Sequence, residues 1–173
     1  MSQVIIICGL PGSGKTTLAQ ALSKELNIAC LHKDVLKESL YTLLDMKTFE
    51  DSVKSGQLSM ALLLELAERM VANNIDIMLE APFLFEEDYK IFQKWIDEHK
   101  ATITTIICSI SDEERIKRFM TRPRHEAHHD LERGQGKYFK EHEVVYEKLP
   151  GKKIIIKTLK PVNELIEEVI TQL

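Results

Sequence analysis

Gly9-Leu10-Pro11-Gly12-Ser13-Gly14-Lys15-Thr16 decides how this chain is read. The stretch has the spacing G-x-x-x-x-G-K-[ST] of a phosphate-binding loop, the P-loop. Its flanks have the required character. Val4-Ile5-Ile6-Ile7-Cys8 precedes it and reads as a buried strand, and Thr17 to Leu26 follows it and reads as an amphipathic helix. Strand, glycine loop and helix N-terminus together make an anion site. Glycines let backbone N–H groups curl around phosphate oxygens, and the helix adds unpaired N–H groups and the positive end of its dipole. Lys15 is expected to reach the β- and γ-phosphates of a nucleoside triphosphate, and the Thr16 hydroxyl to ligate Mg²⁺. The expected nucleotide-binding set is Gly9, Leu10, Pro11, Gly12, Ser13, Gly14, Lys15, Thr16 and Thr17.

Composition narrows the class. A chain of 173 residues, 44% hydrophobic, is long enough for one domain with a full core. A net charge of −4 argues against general nucleic-acid binding while permitting a local basic patch. No apolar run approaches the ~20 residues of a membrane helix. The N-terminus enters the first strand directly, which leaves no room for a signal peptide. Cys8, Cys30 and Cys108 are odd in number, far apart, and each follows an apolar run. They read as reduced core thiols of a cytoplasmic protein.

Strand-like and helical segments alternate along the chain. Expected strands are Gln3–Cys8, Ile28–Leu31, Ile75–Leu79, Ile103–Ile110 and Lys152–Lys157. The first, fourth and fifth are apolar almost throughout, as when helices cover both faces of a parallel sheet. Expected helices are Lys15–Leu26, Val35–Leu44, Gln57–Asn73, Glu86–His99, Asp112–Arg122, Lys137–Lys148 and Val162–Leu173. The alternation implies right-handed βαβ units. Asn73-Asn74 reads as a left-handed helix stop, and Pro150-Gly151 as a turn. Two segments exceed a minimal sheet: residues 45–74, and the polar, partly basic, glycine-ended stretch 122–136. Ligands bind beyond the carboxyl ends of strands in such sheets, so the first suits a substrate-binding excursion and the second a lid.

Several side chains are candidates for chemistry. Asp34 follows a strand near the P-loop edge, where a carboxylate can accept or orient the proton of a substrate hydroxyl. A helix N-cap is an equal reading of the same residue. Lys33 and Lys37 flank it, either to hold an anionic group or as solvated charges. Glu80 ends an apolar strand in the manner of a Walker B acid that holds Mg²⁺, a place more often taken by Asp. Positioning of substrate and an ordinary strand end are the other readings. Pro82, Phe83 and Phe85 read as a pocket wall or as core. Arg115, Arg118 and Arg122, spaced i, i+3, i+7, line one helix face, with Ile116, Phe119 and Met120 packing inward on another. Such a stripe suits phosphate oxygens, and one arginine closing over the γ-phosphate would offset transition-state charge. The competing reading is a solvated face paired with Glu113 and Glu114. His125, His128, His129 and Asp130 cluster in the lid, and lid contacts are favoured over zinc, since no cysteine is near.

These residues together resemble the small P-loop kinases. The resemblance rests on the Gly9–Thr16 loop, on Lys33-Asp34-Val35-Leu36, on Leu79-Glu80-Ala81-Pro82-Phe83, and on the arginine-rich helix after the fourth strand. The group includes polynucleotide kinase, chloramphenicol phosphotransferase, zeta-toxin-like kinases and, more distantly, gluconate and shikimate kinases. Arg124-His125-Glu126-Ala127-His128-His129-Asp130 is similar to an Arg-His-Pro-Gly-His-x-Asp lid signature, with Glu126-Ala127 in place of Pro-Gly. The resemblance covers Gln3 to about Thr158. It implies a three-layer α/β fold whose five-stranded parallel sheet has the order 2-3-1-4-5. It also implies Asp34 as general base or hydroxyl-binding group, Arg118 and Arg122 on the phosphates, and an adenine pocket completed near Thr158.

The leading expectation is an ATP- and Mg²⁺-dependent phosphotransferase acting on the hydroxyl of a small molecule, with Lys15, Asp34, Arg118 and Arg122 as catalytic residues and Thr16 and Glu80 on the metal. A kinase of nucleic-acid ends and a nucleotide-binding regulator or toxin-type module are the alternatives. A GTPase is disfavoured, because neither an Asn-Lys-x-Asp nor an Asp-x-x-Gly motif accompanies the loop.

Overall fold

The computed structural model of the protein describes residues 1–129, 146 and 148–173. Asp130, the expected lid residues 130–136, and all of the expected helix Lys137–Lys148 except Tyr146 and Lys148 lie outside the described residues. The elements run β1 (Gln3–Cys8), α1 (Lys15–Leu26), β2 (Cys30–His32), α2 (Lys33–Leu43), α3 (Phe49–Ala72), β3 (Ile77–Glu80), α4 (Glu86–His99), β4 (Thr102–Ser109), α5 (Asp112–Thr121), a 3₁₀ turn (Glu126–His128), β5 (Lys152–Lys157) and α6 (Val162–Ile170).

The five strands are all parallel and ordered β2-β3-β1-β4-β5. Strand β1 is central because its side chains are buried in both directions. Val4, Ile6 and Cys8 pack with Leu63, Ala67 and Val71 of α3 and Phe92 and Trp95 of α4. Ile5 and Ile7 pack with Leu18 and Leu22 of α1 and Leu165 and Val169 of α6. The sheet is thus the middle of three layers. Strand β5 departs from the expectation of a strand covered on both faces: Ile154 and Ile156 are buried, but Ile155 is 65% exposed. As an edge strand it packs one face only.

Other boundaries moved for local reasons. Helix α3 starts at Phe49, eight residues before its expected start. Thr48 caps it, accepting from Asp51 N while Asp51 accepts from Thr48 N, a reciprocal capping box. Its inward stripe begins with Ser52, Ser55 and Ser59 before becoming Leu63, Ala67 and Val71, so the apolar period is absent from its first two turns. Strand β3 starts at Ile77. Ile75 is spent closing α3, its N–H donating to Met70 O past the left-handed Asn74 (φ 57°). Asp76 accepts from Gln3 N. Strand β2 is displaced to Cys30–His32 by its register with Met78, Leu79 and Glu80. It leaves no loop before α2, whose cap is His32. Asp34 therefore sits inside the first turn of α2, and the N-cap reading of that residue falls. Of the three residues expected inward on α5, Phe119 is buried but Met120 is 54% exposed.

Cys8 and Cys108 are buried on opposite sides of the sheet, and Cys30 is half-buried. Burial pushes the thiols of Cys30 and Cys108 up to about 12 and raises that of Cys8, so all three stay protonated and unreactive. Among the described residues no helix is long and apolar enough to cross a membrane.

Gly151 immediately precedes β5 at φ +82°, and a Cβ there would lie 2.2 Å from the carbonyl oxygen of Ile103. Both the left-handed backbone and the contact demand glycine. Gly151→Ala is expected to destabilise the protein by ~2 kcal/mol or more, read as a lowered urea midpoint at unchanged m-value.

Candidate phosphate cavity and its neighbouring cleft

The P-loop lies between the C-terminal end of β1 and the N-terminus of α1, and three contacts hold it. Gly12, at φ +85°, presses on α5: a Cβ would come 2.5 Å from the carbonyl oxygen of Arg115. The Arg115 guanidinium is buried beside it, bonded to Asp112 Oδ1 at 2.6 and 3.1 Å and reaching Pro11 O at 3.5 Å. Thr158, just past β5, donates from Oγ1 to Ser13 O at 2.6 Å and packs over Gly14. Lys15 Nζ donates to Leu10 O at 3.2 Å.

A cavity of about 150 Å³ opens above this loop. Pro11, Gly12, Lys15 and Thr16 form its floor, and Lys33, Asp34 and Lys37 enter from α2. Glu80 closes the β3 side with Ala81 and Pro82, and Arg122, Arg124 and His128 come from the segment after α5. Five cationic side chains thus border it against two carboxylates, which makes it an anion site by charge as well as by backbone donors.

The two carboxylates differ. Glu80 is buried and accepts at Oε2 from His32 Nδ1 (3.1 Å), its register partner on β2. Asp34 lies 3.5 Å from Lys33 Nζ. Burial alone would raise the Asp34 carboxyl, but Lys33, then His128, Lys15 and Arg124, more than offset it and hold it below the ordinary carboxylate value. Asp34 is therefore ionised at neutral pH.

The three arginines of α5 do not share one task. Arg115 is under the P-loop. Arg118 is outside the cavity, bonded to Glu114 Oε1 (3.1 Å) and Thr158 O (3.2 Å). Arg122 alone of the three reaches the cavity, joined there by Arg124. Arg124 was visible in the sequence only as part of the lid signature.

The histidines likewise separate. His125 Nδ1 accepts from Ala127 N and caps the 3₁₀ turn. His128 Nε2 meets Glu38 Oε1 at 2.8 Å, and His129 Nε2 meets the Tyr41 hydroxyl at 2.8 Å. Lys37 Nζ donates to Ser52 Oγ (3.0 Å), which donates to Ala127 O (2.5 Å). Buried Lys37 thereby ties α2, α3 and the 3₁₀ turn together, which excludes its reading as a solvated charge. Among the described residues no three His, Cys, Asp or Glu form a metal-ligating group.

A second, larger cleft of about 790 Å³ adjoins the phosphate cavity and shares Lys33 and Pro82 with it. Phe49, Val53, Met60 and Leu64 of α3 face Phe83, Leu84, Phe85 and Ile91 across it. Phe83 is buried at φ 46°, a strained conformation for a bulky residue. An edge-to-face contact with Phe92 (centroids 5.2 Å) and the bond from Tyr89 hydroxyl to Phe83 O hold it. Phe83 is therefore both core and wall, while Phe85 is exposed.

Comparison with known proteins accords with this geometry. Residues 4–143 match the family model described as an AAA domain. The chain belongs to this family. Among solved structures, it is similar to a candidate kinase from Chloroflexus aurantiacus, with 25% identity, a TM-score of 0.81, and 99% of this chain and 98% of that one covered. The shikimate kinase of Aquifex aeolicus (23% identity, TM-score 0.64, 98% and 94% covered) and a deoxyadenosine kinase from M. mycoides (18%, 0.62, 98% and 97%) share the fold. A search of curated proteins finds no match. The fold is that of the P-loop kinases, with the strand order expected from the sequence.

Thr158→Val removes the bond that pins Ser13. It is expected to lower stability by about 1 kcal/mol in urea unfolding, and to weaken ATP binding measured by calorimetry.

Proposed function

We propose that the protein is an ATP-dependent phosphotransferase that moves the γ-phosphate to the hydroxyl of a small molecule. One observation carries the reading: Lys15, Thr16, Asp34, Glu80, Arg122 and Arg124 border a single cavity that opens onto an apolar cleft. A regulator that only binds nucleotide has no need of an ionised carboxylate such as Asp34 in the phosphate cavity beside an acceptor-sized cleft. The similarity to kinase structures supports the same reading.

In this reading the P-loop N–H groups and Lys15 hold the β- and γ-phosphates, while Arg122 and Arg124 add charge that strengthens as the transferred group separates. Asp34 orients the acceptor hydroxyl for in-line attack. The hydroxyl oxygen bonds to Pγ, the bond from Pγ to the bridging oxygen breaks, and ADP leaves with its electron pair. The hydroxyl proton passes to Asp34 or to the transferred phosphoryl group. Thr16 and Glu80 offer hard oxygen donors in the same cavity, which suits Mg²⁺, an ion that keeps most of its waters and needs few protein ligands. When bound it neutralises charge on the β- and γ-oxygens. Thr158 and Arg118 are assigned to the adenine side, and residues 45–74 to the acceptor side, where Phe49 to Leu64 line the cleft. Kinship with the polynucleotide kinase, chloramphenicol phosphotransferase and zeta-toxin-like group belongs to this reading, supported by the Gly9–Thr16 loop and by Lys33-Asp34 at the start of α2.

Asp34→Asn is expected to reduce acceptor-dependent ATP turnover by ~10²-fold or more and to leave ATP affinity within a few-fold. Lys15→Ala is expected to abolish ATP binding. Turnover that survives in Asp34→Asn would remove the assigned role of this carboxylate.

A further inference from the structure

We propose that the apolar cleft between α3 and the start of α4 is the acceptor pocket, and that Asp88 selects there for a hydrophobic amino alcohol. Such an acceptor has a hydroxyl at one end, an apolar body, and a protonated amine at the other. The assignment rests on the phosphotransferase reading.

The cleft and the phosphate cavity share Lys33 and Pro82, so a molecule held in the larger space presents one end to the smaller. Between those ends the wall is largely aliphatic and aromatic, which calls for an apolar body. Asp88 breaks this pattern. It is the third residue of α4, and its carboxylate accepts from the backbone of Phe85. Yet it is only 5% exposed, and Oδ2 has no hydrogen-bond partner among the described residues. A carboxylate oxygen buried without a donor is costly, and a donor that arrives with the ligand relieves that cost.

Charge decides which donor. The titratable groups on the cleft are Lys33 of α2 and Glu87 and Asp88 of α4, and α3 contributes Gln57 but no ionisable side chain. Lys33 stands on the side shared with the phosphate cavity, and both carboxylates on the part that is not shared. This polarity matches an acceptor that meets phosphate at its hydroxyl end and is cationic at the other. Burial pushes the Asp88 carboxyl up to about 6, with Glu87 adding to the rise and the Phe85 bond opposing it. Asp88 is thus mostly ionised at neutral pH and neutral in mild acid.

The probes are 4-(2-aminoethyl)benzyl alcohol and its desamino twin, 4-ethylbenzyl alcohol, titrated calorimetrically into the full chain with a non-hydrolysable ATP analogue and Mg²⁺. At about pH 7.5 the amine is expected to bind roughly tenfold more tightly than its twin, as one charge-assisted hydrogen bond implies. Asp88→Asn keeps an oxygen for Phe85 N–H and should fold. It is expected to cut that preference to less than about twofold while leaving the twin unchanged. Lowering the pH to about 5 should erase the preference in the wild type and do nothing to the variant, a response that a purely capping role for Asp88 would not give. Gly56 lies on the cleft with its nearest neighbours 3.9 Å from an added Cβ, so Gly56→Ala should be accommodated, narrow the cleft and weaken both probes alike. Equal binding of the twins, a preference that survives in Asp88→Asn, or no binding of either twin overturns the assignment. ATP titrated into the same preparations separates the failures. Lys15-dependent ATP binding without a twin preference overturns this assignment alone, whereas absence of ATP binding overturns the phosphotransferase reading.

Discussion

Everything around the P-loop depends on concentrating positive charge where the backbone already offers N–H donors. Lys15, Lys33, Lys37, Arg122 and Arg124 border one cavity of about 150 Å³. Like charges this close repel, and the fold must oppose that repulsion before any anion arrives. It does so locally. Lys33 has Asp34 beside it, Lys15 rests on Leu10 O, and Lys37 is tied to Ser52. Each restraint can be exchanged for a phosphate oxygen at little cost in geometry, so the site is preorganised for an anion.

The same restraints connect the cavity to the 3₁₀ turn Glu126–His128. Ser52 receives from Lys37 and gives to Ala127 O, while Glu38 and Tyr41 of α2 hold His128 and His129. Both anchors come from helices that also shape the acceptor side. Serine on the inward face of α3 lets the lid turn approach closely and supplies the bonding hydroxyl; an alanine there would pack but not bond, and a leucine would hold the turn away. The position of α2 therefore fixes His128 and His129 directly, through Glu38 and Tyr41.

How far the sequence carried the reading follows from the same physics. The P-loop was legible because its spacing is set by phosphate geometry and its flanks by a buried strand and an amphipathic helix. Strand order followed from the resemblance the loop and its companions carry. The first two turns of α3 were not legible, because Ser52, Ser55 and Ser59 occupy its buried face where periodicity looks for apolar residues, and because Asp51 replaces the more usual Glu or Gln of the capping box. Arg115 was legible as an arginine but not as a support of the loop, since only the packing of Gly12 on α5 places it there. Asp88 gave no signal at all: an acid in the first turn of a helix is ordinary, and only its burial beside the cleft makes it exceptional.

The lowered pKa of Asp34 constrains the chemistry more than its position does. A carboxylate held below the ordinary value is a weak base, and a weak base contributes little by removing a proton early. Phosphoryl transfer through a loose transition state asks for little early proton removal, since the attacking oxygen gains charge late. The surrounding cations that depress Asp34 are also those that an arriving triphosphate would engage, so nucleotide binding would return some basicity to it. In the proposed reading it mainly fixes the direction of the hydroxyl lone pair, with proton acceptance following bond formation. The cost of this arrangement is modest because the Asp34 carboxylate is partly exposed and Lys33 stands 3.5 Å from it before substrate arrives. Asparagine at position 34 would keep the shape but add an N–H₂ donor, and the hydroxyl could then be held in the wrong orientation, with its proton rather than its lone pair turned toward phosphorus.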